Sequence, residues 1–352
     1  MGKTFVGLLI GVLLSFCSLQ CVTAGRVMPV LEDPSDGFNY NRTFAQIMVE
    51  YASVVYVNDL DSLIAWNCTR CNNLTKGFQL VELIVDVQHC LQAYVGVAED
   101  LNAVVVAFRG TQENSIQNWM EDLYFRQLDL NYPGCTGAMV HRGFFTAYHN
   151  TTLRPRVIAA VMGVLQEIDG LNVYVTGHSM GGAMAAFCSL DLVANYGLKD
   201  VRAVTFGQPR IGNSIFSEYF TKLVPETYRM THAHDMVPHL PPYYSLFPQR
   251  SYHHFGREVW IHTVDLGSLN YEVETVCDDT GEDPTCSRSV AGNSISDHLC
   301  YMGVFLQADT WASCSFILSS GENLAVKTAD GFVIKLPLLL KTPVEVRSVQ
   351  LS

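Results

Sequence analysis

The chain has 352 residues, 49% of them apolar and 16% charged, with a formal net charge of −12. That length accommodates one large α/β domain with a full core, or two small ones, and the composition is that of a globular enzyme rather than a disordered segment. A net acidic chain with no basic patch excludes a duplex-binding surface, so no nucleic-acid partner is expected, and it argues against purely electrostatic capture by anionic membranes.

In chain order, residues 1–24 have the layout of a secretory signal. Lys3 gives the positive start, an apolar stretch runs from Phe5 to about Leu19, and Val22-Thr23-Ala24 offers a small-residue cleavage site. The rival reading is an uncleaved anchor, but the stretch is short for a full span. Nothing later has the apolar length of a bilayer crossing, so no stable transmembrane segment is expected. Sequons at Asn41, Asn67, Asn73 and Asn150 fit the secretory route and an extracellular destination. The cysteines beyond the signal are Cys68, Cys71, Cys90, Cys135, Cys188, Cys277, Cys286, Cys300 and Cys314. In an oxidising compartment most should pair, and their odd number leaves at least one free. Cys188 is the candidate, because it falls within a predicted buried helix. Zinc is the competing use for Cys68-x-x-Cys71, but no second Cys or His pair completes a finger.

Residues 44–57 read as an amphipathic helix. Strands are expected at 79–85, 93–97, 103–108, 172–176, 201–206 and 228–231, which are rich in Val, Ile and Leu. A helix of small and apolar residues runs from Gly182 to Asn195, with Gly197 as its stop. Strands alternating with helices predict an α/β domain over residues 25–315, with a mostly parallel sheet covered on both faces. Residues 316–352 form an appended segment of unassigned role, in which Asp330-Gly331 reads as a hairpin turn.

The strongest chemical signal is Gly177-His178-Ser179-Met180-Gly181. Alone, G-x-S-x-G is common. Here it sits between a strand and a small-residue helix, the context of a nucleophile elbow. Side chains at the flanking glycines would collide with nearby backbone, and the Ser179 hydroxyl would stand at a helix N-terminus, where developing negative charge is favoured. A serine needs a base, and the base needs an orienting acid. Asp235 follows the strand at 228–231 in Thr231-His232-Ala233-His234-Asp235-Met236-Val237-Pro238. His232, His234 and Asp235 also admit a metal-ligand reading, which the serine motif makes superfluous. For the base, position alone leaves His253, His254, His262 and His298 open.

Seven segments, in order, resemble the fungal-type class 3 triacylglycerol lipases and their plant relatives. They are Val106-Ala107-Phe108-Arg109-Gly110-Thr111, Asn118-Trp119-x-x-Asp122-Leu123, Val140-His141-Arg142-Gly143-Phe144, Thr176 through Ala183, Phe206-Gly207-Gln208-Pro209-Arg210-Ile211-Gly212, Asp235 through Pro242, and Asp297-His298-Leu299-x-Tyr301. The resemblance implies an α/β-hydrolase fold with Ser179 as nucleophile, Asp235 as acid and His298 as base. It implies an oxyanion hole from the Met180 backbone N–H and from Thr111, where the family often has Ser. It also implies that the stripe Ile116, Trp119, Met120 and Leu123 belongs to a lid rather than to the core, and that Cys68–Cys71 and Cys277–Cys286 are bridged. Pairing among Cys90, Cys135, Cys300 and Cys314 stays open.

The expected reaction is two-step acyl transfer to water on a tri- or diacylglycerol at an oil–water or membrane interface, with no cofactor or metal. Val237, Leu240, Tyr243, Tyr244, Leu246 and Phe247 are expected to line an acyl pocket, with core packing as the alternative. A feruloyl or other carbohydrate esterase, a phospholipase A1 and a noncatalytic binding protein are the other readings.

Overall fold

The computed structural model describes residues 26–27, 40–71, 73–110, 126–243, 251–308, 325–328 and 331–335. The expected signal at 1–24, Thr111, the lid residues Ile116, Trp119 and Met120, and Cys314 lie outside the described residues. In chain order the elements that matter for the site begin with β1 (Arg26–Val27), α1 (Arg42–Val54) and α2 (Leu60–Ile64). Three strands follow, β2 (Gln79–Asp86), β3 (Leu91–Ala98) and β4 (Ala103–Phe108), and then the short pair β5 (Gln127–Asp129) and β6 (Met139–His141). Next come α3 (Arg142–His149), α4 (Leu153–Glu167), β7 (Asn172–His178), α5 (Met180–Ala194), β8 (Val201–Phe206), α6 (Ser214–Leu223) and β9 (Thr227–His232). The chain continues through β10 (Glu258–Leu266), β11 (Leu269–Val276), α7 (Ile295–His298), β12 (Cys300–Tyr301), β13 (Val304–Phe305), β14 (Ala325–Thr328) and β15 (Gly331–Lys335).

Among the described residues, eleven strands form one sheet in the order β1-β11-β10-β9-β8-β7-β4-β3-β2-β15-β14. Its centre, from β4 through β7, β8 and β9 to β10, is parallel. The flanks through β3, β2 and the β14–β15 hairpin on one side, and β11 on the other, are antiparallel to their neighbours. Every residue of β3 and β4 is buried, as strands covered on both faces must be. The two-residue period of β4 sorts its side chains. Val104, Val106 and Phe108 enter the core built with α3, α4, α5 and α6, while Ala103, Val105 and Ala107 enter the core built with α1.

Helix boundaries have local causes. The Asn41 side chain accepts from the Phe44 N–H and so caps the start of α1. At the far end of α5, Gly197 adopts a φ of 73°, and the Gly197 and Leu198 N–H groups return to Val193 and Leu192, closing the helix where the sequence placed its stop. Two predicted bridges are present, Cys68–Cys71 and Cys277–Cys286, so the former pair is not a zinc half-site. Cys188 is a buried free thiol as expected, and so is Cys135. Cys90 and Cys300 are both disulfide-bonded. Among the described residues no helix is long and apolar enough to cross a membrane.

Register decides where the chemistry collects. Phe108 pairs with Gly177, His178 with Phe206, and Phe206 with Met230. The carboxyl ends of β4, β7, β8 and β9 therefore lie at one edge of the sheet, where ligands of open α/β sheets bind.

Candidate active site

Ser179 occupies the turn from β7 into α5 with φ 59° and ψ −129°. A non-glycine residue in that region costs about 1–3 kcal/mol and persists only when its surroundings over-determine it. Here the Ser179 N–H donates to the Phe206 carbonyl, and the Ser179 carbonyl accepts from Gly182 and Ala183. The flanking glycines have no room for a side chain. A Cβ on Gly181 would stand 2.2 Å from the Phe108 carbonyl oxygen, and one on Gly177 would stand 2.4 Å from the Gly181 backbone. The Ser179 Oγ is fully buried and makes no hydrogen bond among the described residues. Met180 follows as the first residue of α5 and is partly exposed.

Asp235 lies in the turn after β9, tightened by its own N–H donating to the His232 carbonyl. An isolated bridge between Asp235 and Ser294 draws in the segment that carries α7, a single turn capped by the Ser294 side chain on the Asp297 N–H. His298 ends that turn. Its Nδ1 stands 2.9 Å from Asp235 Oδ2, with both side chains almost fully buried. A carboxylate only accepts, so Nδ1 carries the proton and a neutral ring presents its lone pair at Nε2. That Nε2 is buried without a partner among the described residues. The His298 ring lies 4.3 Å from the ring of His178, the residue before Ser179. Asp235 and His298 are thus hydrogen-bonded, and His298 packs against the elbow.

Two further residues shape the Asp–His pair, and neither was singled out for that role from the sequence. Tyr301 Oη donates to Asp235 Oδ2 at 2.5 Å, while the Val237 N–H occupies Oδ1. Burial, and then the neighbouring Asp235 charge, push the Tyr301 hydroxyl well above its ordinary pKa, so it remains a donor. Gly207, at the end of β8, has a φ of 55°, and a Cβ there would lie 2.7 Å from Asp235 Oδ2 and 2.8 Å from His298 Nδ1. The glycine lets the strand end pass directly beneath the pair. The D-H-L-x-Y and F-G-Q-P motifs carried both residues, but only the folded chain gives them a contact.

The other histidines are engaged elsewhere. His254 Nε2 meets the Pro238 carbonyl, and His262 Nε2 meets Thr275. The His253 ring packs edge-on against Tyr243. His232 and His234 direct Nδ1 to the backbone carbonyls of Asp297 and Ala291. Of the expected acyl-pocket residues, Val237 is fully buried and Leu240 packs against the core that holds α5. The Tyr243 ring lies 4.4 Å under Arg288. Tyr244, Leu246 and Phe247 lie outside the described residues.

The family profile for Lipase (class 3) matches residues 105–245, a span containing Ser179 and Asp235. The lipase of Rhizomucor miehei is 32% identical over 243 residues, which are 68% of this chain and 62% of that protein. The solved triacylglyceride lipase of that organism aligns over 75% of this chain and 95% of its own, with 29% identity and a TM-score of 0.64. A secreted mono- and diacylglycerol lipase of Fusarium solani is 31% identical over 66% of this chain and 66% of its own length. A further solved structure, a triacylglycerol lipase whose catalytic centre is a serine-protease triad, matches 76% of this chain and 97% of its own at 29% identity and a TM-score of 0.63. The chain spans just under two thirds of the length of the Rhizomucor and Rhizopus lipase sequences it matches. Fold, elbow and ordered motifs agree with those of the class 3 lipases.

Proposed function

We propose that the protein is a carboxylic ester hydrolase of acyl lipids, most directly tri- and diacylglycerols, acting through Ser179, His298 and Asp235. The observation that carries this is the buried Asp235–His298 pair, with an unoccupied Nε2, packed against a strained serine elbow. His298 Nε2 takes the Ser179 proton as Oγ attacks the ester carbonyl. Asp235 holds the ring in the productive tautomer and stabilises the imidazolium that forms. Negative charge on the tetrahedral intermediate falls to the Met180 N–H at the start of α5, with Thr111 as the second donor. His298 then protonates the leaving alcohol. In the second half it activates a water that releases the fatty acid and restores Ser179.

The lipid assignment rests on the relatives named above and on one feature of this site. Ser179 is 0% exposed, so an ester reaches it only after its surroundings open. A lid formed by residues around Ile116, Trp119 and Met120, moving aside at a lipid surface, supplies that opening. Export through the signal at 1–24, to the outside of the cell, places the enzyme beside such substrates. The residues at 25–315 carry the groups of this reaction, and the β14–β15 hairpin joins the same sheet beyond them.

The test compares rates on emulsified acylglycerol, methyl ferulate and a phospholipid, above and below the solubility limit of the acylglycerol. The expected result is preference for acylglycerol with a rise in rate once the emulsion forms. Preference for methyl ferulate makes the protein a carbohydrate-type esterase, and preference for phospholipid makes it a phospholipase A1. Labelling of wild type but not Ser179→Ala by a fluorophosphonate separates all of these from a noncatalytic binding protein.

A further inference from the structure

Beneath the triad lie two fully buried polar side chains that the acyl-transfer steps do not use, Tyr56 and His178. Tyr56 comes from the turn that ends α1, and His178 is the last residue of β7. Tyr56 Oη lies 2.8 Å from His178 Nδ1 and accepts from the Gly110 N–H at 3.2 Å. His178 Nε2 lies 2.8 Å from the backbone carbonyl of His298.

The directions of these bonds follow from what each group can do. A carbonyl only accepts, so His178 Nε2 carries the proton. Burial, and then the neighbouring His298, hold His178 well below its ordinary pKa, so the ring is neutral and Nδ1 is an acceptor. Tyr56 must then donate to Nδ1 with its single hydrogen, which leaves an oxygen lone pair for the Gly110 N–H. One directed chain therefore runs from Gly110 through Tyr56 and His178 to the backbone of His298. It begins at the residue before Thr111, the proposed oxyanion donor, and ends at the proposed base. The His178 ring also packs at 4.3 Å, tilted by 36°, against the His298 ring.

We infer that Tyr56 and His178 are positioning residues for acyl transfer, a hydrogen-bonded strut that holds the base and the start of the oxyanion loop in one geometry. The inference rests on the triad reading above. Its physical content is that the Tyr56 hydroxyl locks the His178 tautomer. The locked ring presents a donor to the His298 carbonyl and a neutral face to the imidazolium that forms on His298. If Tyr56 and His178 only filled the core, losing them would reduce the fraction of folded enzyme without changing the rate of each folded molecule.

The experiment measures kcat and KM on soluble p-nitrophenyl butyrate for wild type, Tyr56→Phe, His178→Phe, His178→Gln and Ser179→Ala. Each kcat is divided by the fraction of sites labelled to completion with a fluorophosphonate, except for Ser179→Ala, which has no serine to label and is read as rate per chain. For Tyr56→Phe we expect kcat per labelled site about tenfold lower, and for His178→Phe about a hundredfold lower, with KM within about twofold of wild type. The amide N–H of glutamine reaches as far as Nε2, so His178→Gln should regain about tenfold over His178→Phe. Unchanged kcat per labelled site in the two phenylalanine variants overturns the inference, as does a glutamine variant no better than phenylalanine. Should His178→Phe fail to fold, Tyr56→Phe, which removes one oxygen, carries the test alone. An active Ser179→Ala breaks the triad reading itself. An inactive Ser179→Ala beside unaffected Tyr56 and His178 variants breaks only the strut.

Discussion

Single atoms around Asp235 shape the proposed site, and they give the first predictions. The carboxylate holds three donors, His298 and Tyr301 on Oδ2 and the Val237 N–H on Oδ1. A hydrogen bond to a charged group contributes about 1.5–3 kcal/mol, so Tyr301→Phe should lower kcat/KM on a soluble ester by about tenfold or more while the protein stays folded. An unchanged kcat/KM would mean that His298 and Val237 suffice to orient the acid. Gly207→Ala places a methyl 2.7 Å from Asp235 Oδ2 at a positive φ, so it should both destabilise, by about 1–2 kcal/mol, and depress activity. Thermal melting and a rate assay on the same sample check the two effects. Ser179→Ala, by contrast, should abolish hydrolysis with little change in melting temperature. Ser179 was legible in the sequence because its requirement is local: a strand, two glycines and a small-residue helix within one stretch of chain. Tyr301 was not, because its contact depends on α7 and the tight β12–β13 turn, where Met302 and Gly303 both take positive φ. Three residues after a histidine, a tyrosine reads simply as core.

Elements were legible where burial made their pattern simple. The strand ends predicted at 103–108 and 201–206 coincide with β4 and β8 because both strands are apolar and bounded by turn residues. Strand β10 escaped notice for the opposite reason. Val259 and Ile261 enter the core, but Glu258 beside them accepts from Thr231 in a buried polar layer, and Trp260 between them packs with Cys277 and Cys286. In that layer Arg210 makes a bidentate pair with Glu282, at 2.7 and 2.9 Å, and donates to the Pro241 carbonyl. Glu282 also accepts from the His254 N–H, and His254 reaches the Pro238 carbonyl. The loop after Asp235 is thereby fastened to the loop closed by Cys277–Cys286. Burial alone would raise the Glu282 pKa, but the Arg210 contacts outweigh it and hold the carboxyl below its usual range. Such a depressed group stabilises the fold in full above its unfolded pKa, about 4.3, and that contribution is lost as pH falls through the folded value. Glu282→Gln should therefore cost about 3 kcal/mol at neutral pH, because it leaves Arg210 buried against a neutral partner. The gap between the urea midpoints of wild type and variant should begin to close as pH falls below about 4.3 and vanish only beneath the lowered folded value. A gap that persists undiminished at low pH would show that shape, not charge, makes the contact.

At the scale of the whole molecule, the sheet extends further than the domain boundary drawn from the sequence. The expected unit closed at residue 315, and the following segment had no assigned role, because strand pairing between distant parts of a chain leaves no mark in local pattern. The hairpin turn around Asp330-Gly331 was readable; its partner was not. In the structure β15 lies antiparallel to β2, with Phe332, Val333, Ile334 and Lys335 opposite Val85, Ile84, Leu83 and Glu82. β14 then forms the outer edge. The hairpin therefore occupies the edge of a strand whose Leu83, Ile84 and Val85 are fully buried. An uncovered edge of that kind presents unpaired N–H and C=O groups beside apolar side chains, a template for pairing with another chain. Edge protection is the role expected of the β14–β15 hairpin. A chain truncated after residue 315 should keep the geometry of the proposed triad, since Ser179 and Asp235 follow β7 and β9 and His298 ends α7, away from the β2 edge. It should hydrolyse a soluble ester at close to the full-length rate when freshly prepared and dilute. It should also melt earlier, and associate with rising concentration. Size-exclusion chromatography across a concentration series, with a thermal melt on each fraction, measures both. A truncated chain that stays monomeric and melts with the full-length protein would remove the edge argument. One that loses activity per labelled serine while monomeric would show that the hairpin acts on the site rather than on the edge.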